Sequence, residues 1–305
     1  MTKIFSGIRH LSLKDWLIGN TRAGVEYVLV PGLIALLPFR LGVRLGWWLT
    51  RFKLLYRGGV HQAADQAQNF GFAADRQDFE HRCRFHRLMD LTDLYWSKTR
   101  SDRHIDRNFD QTGDWPADGP VMAVTFHWGG GHWGIRSLHR TGRPIVCLAG
   151  PLDPEHVGHL SVLYRYACWR TREVEKHSGR PLFKRYRGIA VRDLRDKAKS
   201  GDSILSLIDV PPGEVGGARP VTLLGRDAKL PNGLVKMAEL LKLPIVFYAA
   251  RINPLTARVE FRIGAPLDPT DRDAVLQEAA RWLDEMIQRD PAAWMLWAQA
   301  PGFFR

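Results

Sequence analysis

The feature that most constrains the fold is a series of short apolar segments, separated by helix-like stretches, between residues 121 and 264. VMAVTF (residues 121–126), PIVCLAG (144–150) and SILSLID (203–209) are short, apolar and bounded by turn residues. PIVFYAAR (244–251) and RVEFRIG (258–264) extend the series. Strands separated by helices in this way predict an α/β fold, with the sheet flanked by helices.

Helical patterns surround these segments. Residues 61–100 carry apolar side chains at helical spacing, and GLVKMAELLKL (233–243) leads into the fourth predicted strand. Near the C-terminus, Thr270 is predicted to open a helix through a capping box with Asp273. The polar stretch PPGEVGGARP (211–220) is predicted to be a loop.

The chain is predicted to divide into an N-terminal helical lobe (residues 1–110) that faces a membrane and an α/β domain (residues 111–305). The run YVLVPGLIALLPF (27–39) would extend roughly 20 Å as a helix, short of the hydrocarbon core of a bilayer at about 30 Å. LGVRLGWWLTRFKLLYR (41–57) then mixes leucines and two tryptophans with four cations, a composition typical of a helix in the membrane interface. The alternative is a helical hairpin that simply packs on the domain.

Charge narrows the class of partner. The formal net charge is +12, and residues 161–200 hold twelve Lys or Arg against four Asp or Glu. Such a patch favours anionic lipid, a phosphorylated substrate, an acidic carrier protein or nucleic acid. No nucleic acid is expected, because the sequence has no zinc finger, RNA-binding signature or convincing helix-turn-helix. Three cysteines without CxxC spacing argue against a disulfide framework.

The stretch FHWGGGHWG (126–134) follows the first predicted strand and marks the candidate site. His127 is placed at the carboxyl edge of the sheet, where α/β proteins bind ligands. Gly129, Gly130 and Gly131 let the backbone turn and approach a ligand, and their amides are able to hold an oxyanion.

Two interpretations of this stretch compete with catalysis by His127. Gly129, Gly131 and Gly134 satisfy a GxGxxG dinucleotide pattern, with Asp153 as the acid, but only about nine residues separate Gly134 from the next strand. A metal site is the other interpretation, although no metalloenzyme spacing is present and no metal is predicted. Its ligands would come from His127, His132, His139, Asp153, His156 and His159.

The third interpretation is acyl transfer. A histidine at a strand edge beside glycine amides can act as a general base that takes a proton from an acceptor hydroxyl as that oxygen attacks a thioester. No serine or cysteine nucleophile is needed, because the acceptor attacks directly.

Several blocks of the sequence occur in the order found in one enzyme family. They are HWGGGHW, YRYACWR, LFKRYRG, LRDKAKSGDSILSLIDVPPG, PNGLVKMAELLKLPIVFYAAR and RDPAAWMLWAQ. In these blocks the chain resembles the late acyltransferases of lipid A biosynthesis, which belong to the glycerolipid and lysophospholipid acyltransferase superfamily. The likeness extends over most of the chain, from the apolar N-terminal helices to the Trp-rich end.

The resemblance implies an α/β domain with a mixed central sheet and a membrane-facing lobe. It also implies an enzyme, without a cofactor, at the cytoplasmic face of the inner membrane. The donor would be an acyl carrier protein or coenzyme A thioester, and the acceptor a hydroxyl or amine of a membrane lipid or glycolipid. The basic segment would contact this donor or the anionic membrane surface.

The resemblance also points to particular residues. His127 matches the family's base in its H-x4-D/E motif, and Asp209 matches the aspartate that closes a later strand. Arg165 or Arg170 falls near a family arginine that contacts substrate. Independently of the family, Arg251 at the end of PIVFYAAR is predicted to contact a headgroup or the donor, or to form a surface ion pair.

The chain departs from the family at one position, because His132 stands where the motif has its carboxylate. Another carboxylate can replace that acid, or His132 itself can orient His127. Alternatively, the chain has lost catalysis and acts as a lipid-binding protein. The candidate carboxylates are Asp153, Glu155, Asp209 and Glu214.

Overall fold

A computed structural model describes residues 12–149, 160–184, 191–214 and 216–304 of the chain. The helices are α1 (Leu13–Ala23), a π-helix (Gly24–Leu29), α2 (Val30–Leu36), α3 (Phe39–Leu49), α4 (Val60–Asn69), α5 (Arg76–Thr99), α6 (Asp102–Asp106), α7 (His132–His139), α8 (Ser161–Ser178), α9 (Val191–Lys199), α10 (Gly233–Leu241) and α11 (Arg272–Arg289). The strands are β1 (Phe109–Thr112), β2 (Met122–Thr125), β3 (Ile145–Ala149), β4 (Phe183–Lys184), β5 (Ser203–Leu207), β6 (Ala218–Leu223), β7 (Arg226–Pro231), β8 (Ile245–Asn253) and β9 (Arg258–Ile263). Short 3₁₀ turns lie at Pro212–Glu214, Pro291–Ala293 and Trp297–Gly302.

The central sheet has the strand order β1-β9-β8-β2-β5-β3-β4. All neighbouring pairs are parallel except β8 and β9, which are antiparallel. The sheet is therefore mixed, and helices flank it, as the sequence predicted. All five strands predicted from the apolar segments are present, as β2, β3, β5, β8 and β9.

The central strands β2, β3, β5 and β8 are buried on both faces, which explains why they are almost continuously apolar. Along β2, Met122 and Val124 pack into one core cluster, whereas Ala123 packs into the other. Helix α5 contributes to both clusters, through Phe79 near its start and Phe85 one and a half turns later. This helix therefore passes from one cluster to the other.

Every described element before Phe109 is helical. The division of the chain at residue 110 stays a prediction, and that residue lies inside β1, which pairs with β9. Among the described residues, no helix combines the length and the apolar composition that crossing a bilayer requires.

Two local predictions were wrong. Helix α11 is capped by Asp271, whose side chain accepts from the Ala274 amide, and not by Thr270, which donates to Asp268 instead. The segment predicted as a loop at 211–220 contains the start of β6, which forms an antiparallel hairpin with β7 and packs on α11. The sequence of β6 does not alternate clearly between apolar and polar residues, so it did not predict a strand.

Candidate active site

The parallel register of β2 and β5 brings His127 and Asp209 together. The two strands are direct neighbours, with Thr125 opposite Leu207. His127 and Asp209 each lie two residues beyond this pair, at the carboxyl ends of their strands. They are therefore side by side at the sheet edge where α/β proteins bind ligands.

The side chains of these two residues form a hydrogen-bonded pair. His127 Nδ1 lies 2.9 Å from Asp209 Oδ1, and the backbone amide of His127 donates to both carboxylate oxygens, at 2.9 and 2.8 Å. Asp209 is fully buried, whereas 35% of the His127 side chain is exposed. An ionised carboxylate only accepts, so Nδ1 would be the donor in this contact, and in a neutral ring Nε2 would carry the lone pair.

A C-terminal segment holds the pair from a third side. The indole Nε1–H of Trp294 donates to Asp209 Oδ2 at 3.0 Å. The Met295 amide donates to the His127 carbonyl at 2.8 Å, and Trp128 and Trp294 form an antiparallel bridge. Three distant parts of the chain therefore fix the histidine and its carboxylate.

The glycines after His127 serve close packing of the turn. Gly129 has a φ of +65°, and a β-carbon there would lie 2.1 Å from the carbonyl oxygen of Ala250. The Gly129 amide donates to Ala293 at 3.0 Å, and the Gly130 amide donates to Ala250 at 2.8 Å. Because β8 passes so near the turn, these two amides hold the backbone and are not directed at a ligand. The oxyanion role predicted for them is therefore not supported.

Gly131 contributes through its carbonyl group, which accepts from the Tyr248 hydroxyl at 2.9 Å. Two residues after the turn, Gly134 lies against the same tyrosine, whose ring would be 2.0 Å from an added β-carbon. The first turn of α7 is thus packed directly on β8, which explains why the motif needs glycine at its end.

His132 does not serve as the partner of His127. It is buried, neither of its ring nitrogens has a hydrogen-bond partner, and its ring packs edge-on against His177 with centroids 5.0 Å apart. Burial lowers the pKa of His132 well below its usual value, and the nearby His177 and Arg170 lower it further. His132 is therefore a neutral core residue near neutral pH.

Arg170 lies in a buried polar cluster between α5 and α8. Its guanidinium donates to the Asp90 carboxylate at 3.1 Å and to the Tyr166 hydroxyl at 3.3 Å. The neighbouring Asp93 is fully buried with no partner for either oxygen, and burial raises its pKa well above the usual range despite Arg170. Arg170 thus ties two helices together. Arg165 lies exposed on α8, and its predicted contact with substrate stays a prediction.

Arg251 is buried and ion-paired. It contacts the carboxylates of Asp290 and Glu260, and its guanidinium lies 5.7 Å from the centroid of the Trp128 ring. Asp290 also pairs with Arg82 at 2.6 Å and His86 at 2.9 Å. Burial would raise the pKa of Asp290, but His86, Arg82 and Arg251 hold it well below the usual range. Arg251 therefore anchors the C-terminal segment. Of its two predicted roles, the ion pair is present but buried and not at the surface, and the contact with a headgroup or donor stays a prediction.

Several sequence candidates lie outside the described residues. They are Asp153, Glu155, His156 and His159, and the side chain of Glu214. His139 is described, and it lies against the carbonyl of Arg143. Over the described parts of the chain, no group of three or more His, Cys, Asp or Glu side chains is placed to hold a metal ion.

Trp294 and Asp290 are the site residues that sequence reasoning missed. Both lie in RDPAAWMLWAQ (289–299), but no spacing links that block to His127 more than 160 positions earlier. The signal present in the sequence was that an acid and two tryptophans follow a long amphipathic helix. Such a pattern does not reveal which carboxylate an indole will contact.

Neither a protein-family model nor a curated protein matches this chain. The chemistry of the site therefore rests on its geometry. A half-exposed imidazole with a buried carboxylate on Nδ1 is suited to remove and return a proton at Nε2.

Proposed function

We propose that this protein is a membrane-associated acyltransferase that moves a fatty acyl group from an acyl carrier protein or coenzyme A thioester to a lipid acceptor. The observation that carries the proposal is the His127–Asp209 pair at the carboxyl ends of β2 and β5. It supplies the carboxylate that is missing from the H-x4-H motif. The second proposed role is lipid binding without catalysis. It was suggested because the motif lacks a carboxylate to pair with His127, but Asp209 pairs with that histidine.

The proposed reaction needs one general base. Nε2 of His127 takes the proton of the acceptor hydroxyl while that oxygen attacks the thioester carbonyl. Asp209 stabilises the imidazolium through Nδ1. When the carbon–sulfur bond breaks, the imidazolium returns the proton to the leaving thiolate, so that an ester and a free thiol are formed.

A membrane surface is supported by the distribution of exposed apolar residues. Of the fifteen exposed large hydrophobic side chains that the structure describes, twelve lie between Leu13 and Leu54. They are Leu13, Trp16, Leu17, Ile18, Val28, Leu29, Leu33, Leu36, Leu41, Trp48, Phe52 and Leu54. We call them the apolar surface. Exposed apolar side chains that are concentrated in one part of a protein indicate an interaction site.

Cations accompany the apolar surface. Arg40, Arg44, Arg51, Lys53 and Arg57 are exposed within the same part of the chain. Their charge would draw the protein to anionic lipid, and the tryptophans would settle at headgroup depth. An acceptor lipid could then reach the site without leaving the membrane.

The basic helices suit an acidic donor. Helix α9 exposes Arg192, Arg195, Lys197 and Lys199, and α8 exposes Arg165, Arg172 and Lys176. Acyl carrier proteins and the phosphates of coenzyme A both carry the opposite charge. The two donors share this chemistry, and the assay below distinguishes them.

The test uses the full chain with vesicles of bacterial lipid extract and acyl carrier protein or coenzyme A thioesters whose acyl group is labelled. Mass spectrometry follows the label into lipid. We expect His127→Ala to reduce transfer by about 10²- to 10⁴-fold, the usual contribution of a general base. His61→Ala is the control, because that side chain is 68% exposed and pairs with Glu80 on α5.

Equal transfer by the His127→Ala and wild-type proteins would rule out the proposed mechanism. Absence of label in lipid with every donor, while the wild-type protein still binds vesicles, would favour the lipid-binding role.

Membrane docking is tested separately with Leu36→Asp. Leu36 is 65% exposed within the apolar surface, so a carboxylate there should lower binding to anionic vesicles several-fold in a sedimentation assay. Leu255→Asp is the matched control, because Leu255 is 84% exposed but lies far along the chain, in the β8–β9 turn. Equal binding by the two variants would contradict docking through the apolar surface.

A further inference from the structure

Asp209 is a fully buried carboxylate whose charge depends on a small number of donors. Among the described residues, three N–H groups reach it: the His127 amide, His127 Nδ1 and Trp294 Nε1. The His127 ring donates to Oδ1, Trp294 donates to Oδ2 at 3.0 Å, and the His127 amide donates to both oxygens. A buried carboxylate is costly unless such donors compensate for the lost water.

Trp294 is held rigidly in its own place. It is 1% exposed, and its ring packs edge-on against Trp297, with centroids 4.9 Å apart, and at a tilt against Phe303, with centroids 5.9 Å apart. The next residue, Met295, donates its amide to the His127 carbonyl. One short segment therefore contacts both members of the catalytic pair, the histidine through the backbone and the aspartate through an indole.

We propose that Trp294 is a positioning residue for the base, holding the Asp209 carboxylate so that Oδ1 faces Nδ1 of His127 and remains charged there. The inference rests on the proposed acyl transfer and deepens it. The indole does not touch the reacting atoms. It acts by donating to Oδ2 beside the His127 amide, so that the two donors together restrict how the carboxylate turns toward the ring.

The other charged side chains near the pair form ion pairs with one another. Asp290, whose backbone carbonyl accepts from the Trp128 indole, pairs its carboxylate with Arg82 and His86 from α5 and with Arg251 from β8. Arg251 pairs in addition with Glu260 from β9. None of these five side chains is hydrogen-bonded to Asp209, so the Trp294 donor is the contact that a single substitution can remove cleanly.

The neighbouring Trp297 provides a matched control. It is as buried as Trp294, and it belongs to the same aromatic cluster. Its Nε1–H, however, donates to the carbonyl of Pro291 at 2.6 Å and not to a carboxylate. Replacing either tryptophan with phenylalanine removes one indole N–H and similar volume, but only Trp294→Phe removes a donor from Asp209.

The test compares the full-length wild-type, Trp294→Phe and Trp297→Phe proteins. Removing a donor from the charged carboxylate favours proton uptake by the His127–Asp209 pair. We expect the acidic limb of the pH profile of kcat/KM to move to higher pH by about one unit in Trp294→Phe. In Trp297→Phe the limb should coincide with that of the wild-type protein.

A second readout does not depend on substrate. In protein labelled with ¹⁵N-histidine, the chemical shifts of the His127 ring nitrogens report its tautomer and its titration. We expect Trp294→Phe to shift the His127 titration to higher pH and to weaken the preference for the proton on Nδ1. Trp297→Phe should change neither property.

Equal pH profiles and equal His127 titrations in the two tryptophan variants would overturn the positioning role. If instead the wild-type protein transfers no acyl group, the proposed function fails by itself. The histidine titrations then still decide whether Trp294 controls the pair.

Discussion

The two histidines of FHWGGGHWG lie five residues apart and have opposite surroundings. His127 is 35% exposed and has a carboxylate 2.9 Å from Nδ1. His132 is 4% exposed, has no hydrogen-bond partner on either nitrogen, and packs against His177. The difference arises because His127 ends a strand at the open edge of the sheet, whereas His132 begins α7 and points into the core.

This comparison shows that a carboxylate absent from a sequence motif can be supplied by another strand. At the position where the acyltransferases that the sequence resembles carry an acid, the chain has a buried histidine whose pKa burial lowers. The acid reaches His127 from the neighbouring parallel strand, 82 positions later. The spacing within a motif is therefore less important than the register between strands.

Of the substitutions that test the difference between His127 and His132, Asp209→Asn is expected to change turnover most. An amide retains the size of the side chain but loses the charge that stabilises the imidazolium and fixes its tautomer. Turnover should fall about 100-fold or more, since a poorly oriented base loses most of its contribution. Steady-state assays with a single thioester donor measure this loss.

The control for this variant is Asp273→Asn, because Asp273 is 71% exposed and pairs with Arg219 on the surface. Circular dichroism confirms that both variants fold. Turnover of Asp209→Asn close to that of the control would show that His127 does not depend on this carboxylate.

A smaller effect is expected for His132→Leu. The substitution replaces a buried ring without polar partners by an apolar side chain of similar size, which removes no hydrogen bond. Turnover should stay within about threefold of wild type, while stability should become less sensitive to acid. A loss as large as that of Asp209→Asn would mean that His132 takes part in catalysis.

The acid sensitivity follows from the depressed pKa of His132 in the folded protein. Below about pH 6.5 the unfolded chain binds a proton at this residue and the folded chain does not, so the free energy of unfolding falls as the pH drops. His132→Leu removes that contribution, and the decrease between pH 7 and pH 5 should be shallower in urea titrations. His81 and His177, whose pKa values burial also lowers, keep contributing in both proteins. Equal decreases would contradict a neutral, buried His132.

β2, β3, β5 and β8 could be predicted from sequence because each is a short, mostly apolar run that is largely buried, whereas β1, β4, β6 and β7, which lack such a run, were not predicted. β2 and β5, for example, were located within one or two residues. Their pairing could not be predicted, because the order of strands in a sheet leaves no trace in either segment. For this reason Asp209 remained one of four candidate carboxylates.

Contacts between residues that are far apart in the sequence were the least predictable. The amides of Gly129 and Gly130 were expected to face a ligand, but they donate hydrogen bonds to the carbonyls of Ala293 and Ala250. Arg251 was expected to contact a headgroup or donor or to form an ion pair at the surface, but its ion pair with Asp290 is buried. In each case the deciding partner comes from a distant part of the chain, and only the assembled fold shows it.

Chemical rescue of His127→Ala by imidazole tests most directly whether His127 is the base. The native side chain is 35% exposed, so a small base from solution can enter the space that the substitution leaves. We predict turnover about 100-fold or more below wild type without imidazole, and an increase with the concentration of its unprotonated form. Turnover at the wild-type rate in the absence of imidazole would contradict a catalytic base at this position.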